Sequence, residues 1–123
     1  MWPRKRKSST SKQVTGDQGE EIAKKHLQKQ GLKFIRQNFH CKMGEIDLIM
    51  QDDEGLVFVE VRFRATAHHG SAIETVDFHK QQKLRKAAEA YLQLNYRNNP
   101  PPCRFDVIGL NSQQTIEWIK NAF

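Results

Sequence analysis

The sequence predicts an α/β fold in which a central mixed five-stranded sheet carries a helix on each side. Three observations carry that expectation. Two stretches, from about Thr15 to Gln30 and from about Asp77 to Tyr96, repeat apolar residues at helical spacing. Between them lie GEIDLIM (Gly44–Met50) and LVFVEVRFR (Leu56–Arg64), joined by the acidic, glycine-containing QDDEG (Gln51–Gly55), which is a hairpin signal. After the second helix, RFDVIGL (Arg104–Leu110) and TIEWIK (Thr115–Lys120) read as two further strands around the turn 111–114.

Taken in order, residues 1–14 are polar and rich in Ser, Lys and Arg, which suits a disordered basic arm ahead of a single domain at 15–123. The first helix should stop at Gly31. Ala23 and Leu27 form its inward stripe, and Glu20, three residues before Ala23, lies on that stripe while Glu21 points elsewhere. Glu20 also suits the helix N-terminal dipole. Leu32–Asn38 reads as the first strand, and the hairpin follows. Residues 65–75 form a loop around Gly70. Asp77 is placed to cap the second helix, whose buried stripe is Leu84, Ala87, Ala88, Tyr91 and Leu92. Lys80, one turn before Leu84, sits at the margin of that stripe, where it reads as a solvated lysine with reach toward the sheet. Asn98–Pro102 is an extended loop. Phe105 and Val107 share one face of the next strand, Ile108 and Leu110 the other, and Ile116 and Trp118 share a core face of the last.

A chain of 123 residues, 37% hydrophobic and 28% charged, fits one domain with one core. No apolar stretch approaches the roughly 20 residues of a membrane span, and the basic N-terminus is followed by no apolar secretory region. Cys41 and Cys103 form no CxxC, so a reduced cytoplasmic protein is the simplest reading, with one disulfide left open. The five histidines have no zinc-ligand spacing. The net charge is +6, and five of those charges lie in residues 1–14, on Arg4, Lys5, Arg6, Lys7 and Lys12. Such an arm suits phosphate contact, and equally a solubilising terminus. Lys80, Lys83, Arg85 and Lys86 form a second basic cluster.

Alternation places Glu60, Arg62 and Arg64 on one face of their strand, and Glu45 and Asp47 on one face of theirs. A turn centred near Asp53 and Glu54 would set Asp47 opposite Glu60 and Glu45 opposite Arg62. Like charges directly opposed are destabilising, so the pair needs a reason. A hard divalent cation supplies one, since carboxylate oxygens suit Mg²⁺ or Mn²⁺. The alternative is a Glu45–Arg62 salt bridge with Asp47 and Glu60 solvated at a sheet edge.

The segments GDQGEEIAKKHLQKQGLKFIRQNF, GEIDLIMQD, LVFVEVRFR, Lys80 ahead of KAAEAYL, RFDVIGL and the terminal IKNAF resemble the YraN-like family of small bacterial proteins. That family is considered distantly related to archaeal Holliday-junction resolvases within the PD-(D/E)XK nuclease superfamily. The resemblance spans nearly everything after residue 15. It implies a restriction-endonuclease-like three-layer α/β/α core. It also implies that Asp47 is the metal-ligating Asp, that Glu60 is the acid of the (D/E)-x-K element, and that Glu20 completes the site from its helix. Lys80 would be the helix lysine, with Glu45 and Arg64 in support. One departure stands out, because Arg62 occupies the position of the motif lysine. Arginine cannot serve as a base, but it can hold a phosphate.

The expected function is therefore a Mg²⁺- or Mn²⁺-dependent endonuclease acting on phosphodiester bonds in DNA, with branched or structured DNA as the resolvase-like substrate. Asp47, Glu60, the Val61 carbonyl and Glu20 would hold the metal, while Arg62 and Lys80 would act on the phosphate. Lys83, Arg85, Lys86 and the N-terminal Arg4, Lys5, Arg6 and Lys7 would hold the nucleic-acid backbone. Resolvase-type enzymes are often dimers, which extends the expectation to a homodimer. Two rivals remain: a non-catalytic nucleic-acid-binding module on the same fold, and an adaptor that recruits a protein partner. The hydrolytic reading requires carboxylates from one helix and two strands to converge. It fails if they diverge, or if a guanidinium fills the gap between them.

Overall fold

The computed structural model describes residues 16–64, 72–113 and 115–123. The elements follow the expected order: α1 (Gly16–Lys29), β1 (Lys33–Cys41), β2 (Gly44–Gln51), β3 (Leu56–Arg64), a 3-10 turn (Ala72–Thr75), α2 (Phe78–Tyr96), β4 (Cys103–Asn111) and β5 (Ile116–Ile119). The basic arm expected at residues 1–14 lies outside the described residues.

Helix α1 ends where its sequence says it should. Gly31 takes φ +100°. Its N–H reaches the Gln28 carbonyl and the Leu32 N–H reaches the Leu27 carbonyl, each at 3.0 Å. These are the two bonds of a Schellman motif, and the accompanying apolar contact is present because Leu27 and Leu32 are buried in one cluster. Helix α2 starts at Asp77, whose carboxylate accepts the Lys80 N–H at 2.8 Å.

The five strands form one sheet in the order β1-β2-β3-β4-β5. Only β3 and β4 pair in parallel, and α2 forms the crossover between them. The β2–β3 turn closes through the Asp52 N–H to the Gly55 carbonyl, and the Asp52 carboxylate caps the Glu54 and Gly55 N–H groups. A side chain at Gly55 would collide with the Pro102 carbonyl, so glycine is required there by the close approach of the β4 entry.

Sheet residues divide between two cores. Ala23 and Leu27 of α1 pack with Leu48, Met50, Val57, Val59, Val61, Ile108 and Leu110. Leu84, Ala87, Ala88 and Tyr91 of α2 pack with Ile49, Leu56, Phe58, Phe105 and Val107. One helix therefore covers each face, and the expected faces of β4 hold. Among the described residues, no helix is long and apolar enough to cross a membrane. Cys41 and Cys103 are both free.

The first strand differs from expectation. It runs three residues beyond Asn38 and forms its own hairpin with β2, pairing Gln37 with Leu48, Phe39 with Ile46 and His40 with Glu45. Between those pairs Asn38 takes φ +54°, a conformation that asparagine tolerates better than most residues. Ile46 lies in the α2-side core and Leu48 in the α1-side core, so strict alternation breaks at Asp47. This interruption is local, and it falls at the residue on which the site depends.

Candidate functional site

Among the described residues four carboxylates are buried: Glu20 at 1% exposure, Asp47 at 4%, Glu60 at 5% and Asp106 at 0%. Removing a carboxylate from water costs several kcal/mol unless partners compensate. The surroundings of these four separate structural from chemical roles.

Asp106, on β4, is compensated. It accepts hydrogen bonds from Arg104 Nε at 2.9 Å, Arg104 Nη2 at 3.2 Å, Trp118 Nε1 at 2.9 Å and the Asn121 backbone N–H at 2.9 Å. Arg104 also donates to Asp52 at 2.7 Å, tying the β2–β3 turn to the start of β4 and to the C-terminal segment. An open cleft of about 560 Å³ lies here, lined by Asp52, Asp53, Glu54, Arg104, Lys120 and Asn121. The arginine in it is committed to its acidic neighbours, which suits a structural clamp.

Asp47 has the opposite environment. Its Oδ2 accepts the Val61 N–H at 2.8 Å. Burial holds its carboxyl well above the usual carboxylate range, the charge of Glu60 raises it further, and that of Glu20 adds to the effect. The β2–β3 ladder pairs Leu48–Val59, Ile49–Phe58, Met50–Val57 and Gln51–Leu56 and ends there, so the expected Asp47–Glu60 pair would lie one residue beyond it, where the Asp47 carboxylate takes the Val61 N–H. Glu20 is raised too, first by burial, although the Gln37 and Asn38 amides favour its ionised form. Gln37 Nε2 donates to Glu20 Oε1 at 3.2 Å, while Glu20 Oε2 is buried and has no hydrogen-bond partner among the described residues. An unpaired buried carboxylate oxygen is rare in a folded protein and calls for an explanation.

Glu60 meets two cations through one oxygen. Arg62 Nη1 lies 3.0 Å from Oε2, and Lys80 Nζ lies 3.6 Å from the same atom. The solvated-edge alternative is thereby overturned, since Asp47 and Glu60 are buried. The Glu45–Arg62 bridge is overturned as well. Glu45 lies 3.0 Å from His40 Nδ1, its neighbour across the β1–β2 ladder, and Arg62 turns to Glu60 and Thr75. Beside Arg62 an open cleft of about 290 Å³ is lined by Val61, Arg62, Phe63 and Thr75.

The structure thus brings Glu20, Asp47, Glu60, Arg62 and Lys80 into one neighbourhood. Exposed Lys83 packs its backbone against Gly44, one turn along α2 from Lys80. Lys86 is exposed on the same helix, and Arg64 is half-buried at the end of β3. Arg85 is not directed at the cluster, because its guanidinium stacks over Phe105 and Phe123. Arg4, Lys5, Arg6 and Lys7 lie outside the described residues. Sequence reasoning missed Gln37, Asn38 and Thr75. Asn38 left one usable signal, a strand-poor residue with tolerance for positive φ inside a strand-like run.

The donors that a hard divalent cation would use are the carboxylates of Asp47 and Glu60 and the Val61 carbonyl. Among the described residues, no group of three or more His, Cys, Asp or Glu side chains is drawn together tightly enough to enclose a metal. That is compatible with Mg²⁺, which commonly takes one or two carboxylates and keeps several waters. The all-oxygen donor set suits such an ion, and the unpartnered Glu20 Oε2 is short of positive charge beside it.

Comparisons with known proteins give a family without an activity. The model of a family described as "Uncharacterised protein family UPF0102" matches residues 19–110. A UPF0102 protein of Herminiimonas arsenicoxydans is 51% identical over 92% of this chain and 89% of its own length. One of Saccharophagus degradans is 53% identical over 89% and 92%, and one of Alcanivorax borkumensis is 48% identical over 92% and 94%. Among solved structures, Pyrococcus furiosus SfsA in complex with Ca²⁺ aligns at a TM-score of 0.35 and 14% identity, covering 85% of this chain and 62% of that one. That likeness is too loose to support an argument.

Proposed function

This chain belongs to the UPF0102 family, and from its buried acidic cluster we propose that it is a metal-dependent nuclease that hydrolyses phosphodiester bonds in DNA. The observation that carries the reading is the juxtaposition of Asp47 with Glu60 and Glu20. All three are buried, the charges of Glu60 and Glu20 both raise Asp47, and among the described residues one Glu20 oxygen lacks a hydrogen-bond partner. A hard divalent cation resolves all three features together. The likeness of the motif segments to PD-(D/E)XK nucleases supports the same reading, with the sheet and its two helices as a restriction-endonuclease-like core.

Asp47 and Glu60, with the Val61 carbonyl, would hold Mg²⁺ or Mn²⁺, and Glu20 would supply the further negative charge from α1. When bound, the ion supplies Lewis acidity to a phosphodiester. The chain's own residues do the rest. Arg62 offers a guanidinium beside Glu60, where it stabilises negative charge developing on a phosphate. Lys80 reaches the same place from α2 and orients phosphate or water. Lys83 and Lys86 extend positive charge along α2 for the nucleic-acid backbone, which they would hold without reading bases. Branched or structured DNA is the substrate form that the resolvase likeness suggests.

One observation favours a second reading, a non-catalytic nucleic-acid-binding module. Arg62 and Lys80 already act as counter-ions to Glu60. In that case the chain's own cations would replace the metal, and binding would be salt-sensitive and independent of Asp47.

Purified protein and an Asp47→Asn variant, incubated with Mg²⁺ or Mn²⁺ and branched, nicked and single-stranded DNA, separate the two. The nuclease reading expects cleavage by the wild type and a loss of about 100-fold or more in the variant, since metal and oxyanion contacts are worth that much. Absence of cleavage by the wild type, or equal cleavage by both proteins, removes it.

A further inference from the structure

We infer that Thr75 is a positioning residue, which anchors the Arg62 guanidinium beside Glu60 and holds it back from Asp47. The placement rests on geometry alone. Its consequence for cation binding rests on the nuclease reading above.

Arg62 has five N–H donors on a rigid fork. Two of its groups are spent on Thr75: Nε donates to Thr75 Oγ1 at 2.9 Å, and Nη2 donates to the Thr75 carbonyl at 3.1 Å. Nη1 then reaches Glu60 Oε2 at 3.0 Å. A guanidinium beside a buried carboxylate has a better electrostatic option, a fork that engages both of its oxygens. Thr75 supplies the competing acceptors that hold the fork back.

The anchor is itself fixed. Thr75 Oγ1 donates to the Ala72 carbonyl at 2.7 Å, so its one proton is committed and its lone pairs face Arg62. Ala72, the first residue of the 3-10 turn, is pinned from β5, where Glu117 Oε1 accepts its N–H at 2.9 Å. The turn also sits flush on β4. A Cβ at Gly109 would lie 2.5 Å from the Ala72 Cβ, so only glycine allows the approach. A continuous line of contacts therefore runs from Glu117 through Ala72 and Thr75 to Arg62 and Glu60. Glu117 and Gly109 belong to the end of the chain remote in sequence from the acidic motif, and no role was visible for them in it.

The consequence concerns competition. A guanidinium that swung onto Asp47 would neutralise the pair and occupy the place of a divalent cation. The turn leaves Arg62 available to a phosphate while it leaves Asp47 short of positive charge.

The test uses the full chain and four variants: Thr75→Val, Thr75→Ser, Arg62→Gln and the Thr75→Val/Arg62→Gln double variant. Two quantities are read: the Arg62 Nε–H resonance by ¹⁵N NMR without metal, and Mn²⁺ affinity by calorimetry. We expect a protected Arg62 Nε–H signal in the wild type and in Thr75→Ser, and its loss in Thr75→Val. Mn²⁺ affinity should fall about tenfold in Thr75→Val, in the range found when outer partners of a metal site are lost. It should be retained in Thr75→Ser. With Arg62→Gln as background, Thr75→Val should have no effect, because the two substitutions act through one guanidinium. An unchanged Nε–H signal in Thr75→Val overturns the inference. So does an equal loss of Mn²⁺ affinity in the Arg62→Gln background, which would mark a general structural effect. If the wild type binds no Mn²⁺ at all, the nuclease reading falls, and the Nε–H comparison still decides where Thr75 holds Arg62.

Discussion

Asp47→Asn should make the metal-free protein more stable at neutral pH, not less. The carboxyl is buried, its charged form is opposed by Glu60 and Glu20, and its folded-state proton affinity is raised well above that of the unfolded chain. Above the ordinary aspartate range the unfolded chain has lost this proton while the folded chain retains it. The folded state then binds more protons, so stability is greatest at low pH and declines as pH rises toward the folded-state pKa. Glu20 contributes in the same direction. An asparagine keeps an acceptor for the Val61 N–H and offers an N–H₂ group to the neighbouring carboxylates without having to take up a proton on folding. A hydrogen bond to a charged group contributes on the order of 1–3 kcal/mol, which corresponds to a rise of several degrees in Tm for a domain of this size. Thermal melts across pH 4–9 should show a decline in wild type that flattens in the variant. The opposite sign is expected with saturating Mn²⁺: the wild type gains stability by mass action and Asp47→Asn does not. Gain without metal and loss of response with it form a pattern that a purely structural aspartate cannot produce.

Asp106→Ala should do the reverse and do it severely. Four donors converge on that carboxylate, and removing it strands the Arg104 guanidinium, the Trp118 indole and the Asn121 N–H in a buried setting. Breaking a buried pair from one side costs about 3–5 kcal/mol, so the Tm should drop by at least about 10 °C. The chain would also lose its tie between the β2–β3 turn and the C-terminal segment, which Arg104 maintains through Asp52. Differential scanning calorimetry of the variant measures this, and a change under about 1 kcal/mol would show that the clamp is dispensable. The two buried aspartates thus serve as controls for each other. They share residue type and depth, and they differ in whether their neighbours carry N–H groups or carboxylates.

Much of the fold was legible because it is written in local signals. Gly31 and the Leu27/Leu32 pair mark the end of α1, Asp77 marks the start of α2, and QDDEG sets the β2–β3 register from Gln51–Leu56 to Leu48–Val59. Burial of Glu20 followed from its place one turn before Ala23. The features that were not legible depend on contacts distant in sequence. Nothing in the Arg36–Lys42 stretch announces that β1 continues past Asn38, so the sequence offers Arg62 as an alternative partner for Glu45 and hides His40. Asp106 alternates with apolar residues in RFDVIGL and gives no sign that Arg104, Trp118 and Asn121 will gather on it. Thr75 lies in a polar loop, and its hydroxyl acquires meaning only when the 3-10 turn docks on Gly109 and Glu117. Arg85 shows the limit of charge counting, since helical position alone did not reveal the Phe105 and Phe123 rings beneath it.

The central claim is that a doubly charged ion belongs among Asp47, Glu60 and Glu20. Crystals soaked in Mn²⁺ and measured at the manganese absorption edge test it directly. The account predicts one anomalous peak within coordination distance of the Asp47 and Glu60 carboxylates, absent from Asp47→Asn crystals treated identically. A featureless map at saturating Mn²⁺, with Arg62 and Lys80 still seated on Glu60, would contradict it.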